Sequence, residues 1–146
     1  MHKLKYLLLT VIFPLIGFSQ NSIYVNVALG GTNPFTDSVS VIFETFAFDT
    51  GAGISGITLD TYLNLKSINA VTPSPDSVLV ENADGRVISL NIVNIEFLGL
   101  APNAIFDNIP VVLLPESSTD NLLGLDVLSK FNSIEINFIT QRVIFE

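Results

Sequence analysis

The chain has 146 residues, enough for one domain with a substantial core and short for two. It has no cysteine and a single histidine, His2, which excludes disulfides, thiol catalysis and thiolate metal sites. Its formal charge of −8 disfavours nucleic acid and anionic membrane surfaces as partners.

The first residues predict an export signal. Lys3 and Lys5 give a positive start, Tyr6 to Phe18 is uncharged and mostly apolar, and Gly17 and Ser19 put small residues ahead of Gln20. The apolar run is short for a bilayer crossing. Residues 1–19 are therefore expected to be a cleaved signal peptide. Residues 20–146 are expected to be a single exported domain, periplasmic or extracellular, with no stable membrane insertion after cleavage. Cleavage leaves Lys66, Arg86, Lys130 and Arg142 against 14 acidic residues, a formal −10. It also removes His2, so the mature chain has no imidazole for a Ser-His-Asp or Cys-His hydrolase or for a metal. Carboxylates are the remaining catalytic groups, and neither cofactor nor metal is expected.

The mature segment reads as β-rich. Ile23, Val25 and Val27 alternate with Tyr24 and Asn26, a strand pattern. Gly30-Gly31-Thr32-Asn33-Pro34 predicts a turn or loop. The run from Val39 to Phe48 has Phe46 and Phe48 on one side and Val41, Phe43 and Thr45 on the other, which predicts a strand ending inside the core. It delivers Asp49 into Thr50-Gly51-Ala52-Gly53, before Ile54 and Ser55. A carboxylate in such a place is costly unless it is hydrogen-bonded or shares a proton.

Thr58 to Leu65 is predicted as a helix capped by Thr58, with Leu59, Tyr62 and Leu63 at helical spacing. Ala70 to Asp76, with Pro73 and Pro75, is predicted as a surface connection. Val78-Leu79-Val80 and Val87-Ile88 flank Asp84-Gly85 and predict a β-hairpin. Two strand-like runs lie around Leu90 to Leu98, then a turn at Ala101-Pro102-Asn103 and a strand over Val111 to Leu114, bounded by Pro110 and Pro115. Gly124-Leu125-Asp126 reads as a helix start, with Asp126 near the positive end of the helix dipole. Ser133 to Phe138 and Arg142 to Phe145 close the chain as β-like runs. No repeat of fixed period occurs, although the run into Asp49 and the run from Val111 through Gly124 both lead an apolar strand to a Gly-bearing loop and a short helix.

Phe48-Asp49-Thr50-Gly51-Ala52 with Ser55 resembles the active-site loop of retropepsin-like aspartic proteases. The hairpin around Asp84 and Gly85 stands where that family carries its flap, and Leu122-Leu123-Gly124-Leu125-Asp126 resembles its closing segment. The resemblance implies a small, closed, all-β barrel with one or two short helices. It further implies an aspartic endopeptidase with Asp49 as the catalytic residue. Thr50, Gly51 and Ala52 would form the active-site loop, and Asp84 and Gly85 the flap. One such loop per chain implies a homodimer, with the two Asp49 carboxyls meeting on a two-fold axis over a peptide or protein substrate. Viral relatives pair an Arg in the closing segment with an acid after the Ala; Leu125 and Gly53 stand there instead, so the pair is missing as a whole. Two other readings remain open: a non-catalytic retropepsin-like module for dimerisation or peptide binding, and an unrelated exported β-sandwich that binds a small ligand.

Overall fold

A computed structural model describes residues 22–82, 84–101, 104–140 and 142–146. The expected signal at residues 1–19, and Pro102 and Asn103 of the predicted turn, lie outside them. Strand β1 (Tyr24–Thr32) pairs antiparallel with β2 (Val39–Phe48), Tyr24 opposite Ala47 and Thr32 opposite Val39. Val25, Val27 and Leu29 alternate into the core, as period-two spacing requires. Gly30 and Gly31 lie inside β1, not in a turn. A side chain on Gly30 would run into the Phe97 ring and the Ser40 carbonyl, and one on Gly31 would stand 2.6 Å from the Ala70 Cα. The turn lies beyond them, closed by the Asn33 amide donating to the Ser38 carbonyl (2.8 Å).

The short β3 (Gly56–Ile57) leads into α1 (Leu59–Ser67). The Thr58 hydroxyl accepts from the Thr61 amide, the capping bond expected of a Thr at that position. Then β4 (Val71–Glu81) forms an antiparallel hairpin with β5 (Val87–Ala101), which in turn pairs with β6 (Ala104–Leu113). The predicted connection at 70–76 is thus mostly strand. Its prolines are tolerated because β4 is an edge strand and its register breaks between Pro73 and Ser77. The two runs around Leu90 to Leu98 are one 15-residue strand. Pro110 lies within β6, ahead of the point where β3 reaches that strand at Val112, so its missing N–H interrupts no ladder.

Strand β7 (Asn121–Leu123) inserts between β2 and β3, and α2 (Leu125–Leu128) follows. The strand order β1-β2-β7-β3-β6-β5 closes on itself where Ala28 and Leu29 face Gly99 and Leu98, giving a six-stranded barrel with β4 outside β5. Phe46, Ile57, Leu65, Ile95, Leu98, Val111, Leu123 and Val127 fill it. The faint sequence echo is architectural. β2 runs parallel beside β7, and β6 parallel beside β3, so each strand–loop–short strand–helix unit lends its short strand to the other.

Strand β2 ends inside the core as expected, but its first part does not follow. Phe46 is fully buried and Phe48 packs on the core, but Val39, Val41 and Phe43 face solvent. Strands β8 (Ile134–Asn137) and β9 (Arg142–Phe145) pair with each other as a separate hairpin. Val143 and Phe145 turn inward, with Phe145 against Phe131 (ring centroids 4.8 Å apart) and Phe131 edge-on to Phe106 (5.6 Å).

Candidate active site

Asp49 is the first residue beyond β2, where the strand leaves the core. Its amide donates to the Leu123 carbonyl of β7 (3.0 Å), which fixes the direction in which the chain departs. The side chain is half-buried. Its Oδ1 accepts from the Gly51 amide (2.8 Å), and its carbonyl accepts from the Ala52 amide (3.4 Å). This is the turn chemistry favoured by Asp-Thr-Gly, with the carboxylate charge partly satisfied by a backbone donor. A Cβ at Gly51 would come within 3.1 Å of Asp49 Oδ1, so glycine there leaves the carboxylate uncrowded. Thr50 and Ala52 are half-buried and Gly51 is exposed.

The loop is then fastened to the segment after β7. The Ala52 carbonyl accepts from the Leu125 amide (2.8 Å). Ser55, fully buried, donates through its hydroxyl to Asp126 Oδ1 (2.7 Å) and accepts from the Gly124 amide (2.9 Å). The Ser55 amide donates to the same Asp126 oxygen (2.9 Å). Asp126 does stand in the first turn of α2, as read from sequence, but its definite partners are on the other loop. The two segments can cross this closely only at Gly124, where a Cβ would lie 2.8 Å from both the Ala52 carbonyl oxygen and the Ile54 carbonyl carbon. At Gly53 a side chain would meet nothing within 4 Å.

A second buried network lies below the loop. Asn121 Oδ1 accepts from the Thr58 amide (2.9 Å) and Asn121 Nδ2 donates to the Thr45 carbonyl (3.2 Å), joining β2, β7 and the start of α1. Sequence reasoning misses both Asn121 and the Ser55–Asp126 contact. The available signal is a polar residue set in an apolar run at each place: Ser55 between Ile54 and Gly56, and Asn121 before Leu122 and Leu123.

Asp84 and Gly85 form the tip of the β4–β5 hairpin. Gly85 has φ 75°, a conformation that favours glycine. Asn82 Oδ1 accepts from the Asp84 and Arg86 amides (3.1 and 3.0 Å), which shapes the tip. Among the described residues no hydrogen bond joins this tip to the Asp49 loop. The structure therefore brings Asp49, Thr50, Gly51 and Ala52 together in one turn and places Asp84 and Gly85 at the tip of the β4–β5 hairpin. Among the described residues no group of three or more His, Cys, Asp or Glu side chains could hold a metal ion.

No family model matches the chain, and no curated protein matches it. Among solved structures, the crystal structure of a retropepsin-like aspartic protease from Rickettsia conorii is similar, with a TM-score of 0.52 and 16% identity over 84% of this chain and 78% of that one. At such low identity the likeness is one of backbone architecture. The closed barrel, the two interlocked strand–loop–helix units and the two short helices are those of a retropepsin-like fold.

Proposed function

We propose that this protein is an aspartic endopeptidase active as a homodimer. The single observation that carries the reading is the setting of Asp49: a half-buried carboxylate at a strand end, held by the Gly51 amide on a loop clamped to β7 and α2, within a retropepsin-like fold. Peptide hydrolysis without metal or thiol needs a base for the attacking water and an acid for the departing nitrogen. Two carboxyls sharing one proton supply both. The ionised Asp49 would take a proton from water as its oxygen attacks the carbonyl carbon, and the protonated Asp49 would hydrogen-bond to the carbonyl oxygen. Proton return to nitrogen then breaks the C–N bond.

Two features favour a two-chain site. Asp126, the acid of the segment clamped to the Asp49 loop, has Oδ1 engaged by two donors from Ser55. Among the described residues the Thr50 hydroxyl has no hydrogen-bond partner, and it would serve to hold the partner's loop. Gly51 leaves room for an extended substrate backbone, and the hairpin at Asp84 and Gly85 would close over it. The protein would act outside the cytoplasm after removal of residues 1–19, which mass analysis of the N-terminus of exported protein would test.

The deciding experiment is Asp49→Asn. This change keeps shape and removes the shared ionisation, so cleavage of an unfolded protein substrate should vanish while thermal unfolding is unchanged. The parent should be inhibited by a statine-type transition-state mimic. Undiminished cleavage by the variant would remove Asp49 from the chemistry. Peptide binding and dimerisation with no cleavage by either form would make the protein a non-catalytic module.

A further inference from the structure

Over most of its length β2 has one paired edge. Strand β1 covers it from Val39 to Ala47, whereas β7 reaches the other edge only at Phe46, Ala47 and Phe48. Three bonds fix which way the backbone groups point. The Phe48 amide donates to Ile23 on the β1 side, the Asp49 amide donates to Leu123 on the β7 side, and the Thr45 carbonyl accepts from Asn121 on that same side. Successive residues alternate edges, so the amides and carbonyls of Val39, Val41 and Phe43 point toward the β7 side as well. Among the described residues no strand covers them.

Such an edge is normally blunted by a lysine, a proline, a bulge or a covering segment. Residues 39–45, Val-Ser-Val-Ile-Phe-Glu-Thr, include no lysine or proline and keep an unbroken register with β1. Val39, Val41 and Phe43 are exposed, Phe43 at 76%. Beside the edge lies an open cleft of about 330 Å³, walled by Phe43 and Glu44 of β2, Asp60 and Asn64 of α1, and Asp120 ahead of β7. Three of these residues are acidic, and no cationic residue lines the cleft.

We infer that this free edge of β2 is a docking site for an extended polypeptide segment carrying cationic side chains. The segment adds as a strand beside residues 39–45 and sets Lys or Arg over Glu44, Asp60 and Asp120. Main-chain hydrogen bonds to Val39, Val41 and Phe43 supply affinity, and the acidic wall selects the sequence. Seven strand residues span about 20 Å, so the segment is about six or seven residues long. A second copy of this chain is the wrong occupant: its own edge would carry the same three acids into an acidic cleft. The site is separate from Asp49, and binding there does not require that the chain be a peptidase.

The test uses the Asp49→Asn chain, to prevent cleavage, and a fluorescent peptide of alternating Val and Lys seven residues long. Anisotropy titration should show binding that weakens as salt is raised. The triple change Glu44→Gln, Asp60→Asn, Asp120→Asn should weaken it by about tenfold or more. A peptide with Glu in place of Lys, and a Val-Lys peptide N-methylated on alternate amides, should both fail to bind. Amide resonances of Val41 and Phe43 should shift on titration, a readout that does not depend on any variant folding. Equal binding by the N-methylated or the Glu peptide would overturn the added-strand site, as would an unchanged affinity in the triple variant. So would self-association through this edge, seen as dimers lost on Phe43→Lys with no peptide uptake.

Discussion

At the residue scale, the position of Asp49 depends on side chains that never touch it. Gly124 lets the 123–126 segment pass under the Asp49 loop. A methyl group there would press on two backbone atoms at 2.8 Å, neither of which can rotate away. Gly124→Ala should therefore cost about 1–3 kcal/mol in urea unfolding and lower activity by displacing the loop; parent-like stability and full activity would show that the crossing has slack. Ser55 and Asp126 allow a sharper comparison. Ser55→Ala strips a donor from Asp126 and leaves the buried Gly124 amide without its acceptor, a loss of about 1–3 kcal/mol. Asp126→Asn keeps an Oδ1 acceptor for Ser55, so it should retain most activity with an unchanged pH profile, whereas Asp126→Leu should behave like Ser55→Ala. If Asp126 were instead a second catalytic carboxyl, the Asn variant would be inactive while still folded. Asp49 was legible in the sequence because its motif is local, a carboxylate and its turn within four residues. The Ser55–Asp126 clasp spans 71 positions, and no local rule joins a lone serine to a distant aspartate.

At the element scale, the hairpin around Asp84 and Gly85 was legible because its turn chemistry is complete in one short stretch. Gly30-Gly31 misled because glycine serves two ends, turning a chain and letting strands approach, and here the Phe97 ring and Ala70 backbone occupy the space. Pro73 and Pro75 misled because a proline signals a loop only where a ladder would need its N–H, and β4 is an edge strand with a broken register. Which strands close the barrel was not readable at all, since β1–β5 and β2–β7 pairing is set by packing across the whole chain. The terminal hairpin makes a C-terminal truncation a test of stability. Val143 and Phe145 pack on the core, and the Glu146 carbonyl accepts from the Asn132 and Ser133 amides (2.6 and 3.0 Å). Removing residues 143–146 exposes Phe131 and unpairs β8. The expected outcome is a lowered unfolding midpoint and a less cooperative transition, not a well-folded monomer. A truncated chain that unfolds at the parent's temperature would show that the hairpin is dispensable to the barrel.

At the scale of the whole molecule, charge and the proposed dimer pull against each other. The chain carries a formal −8, or −10 if residues 1–19 are removed, and it must meet an equally charged copy if two Asp49 carboxyls are to share a proton. Long-range repulsion between like-charged protomers is screened as the Debye length shrinks from about 30 Å at 0.01 M salt to about 8 Å at 0.15 M. Association buries the same surface at either ionic strength, so salt should tighten the dimer. Half a dyad is inactive, so specific activity should follow the dimer fraction. Two curves should then coincide: peptide hydrolysis per chain, and dimer fraction by sedimentation, both falling on dilution and both recovering at fixed protein concentration when salt is added. The sign is diagnostic, because docking of a cationic segment on the β2 edge weakens under the same change. Specific activity that stays constant on dilution, down to concentrations where only monomer sediments, would show that one chain holds a complete site and would overturn the two-chain dyad.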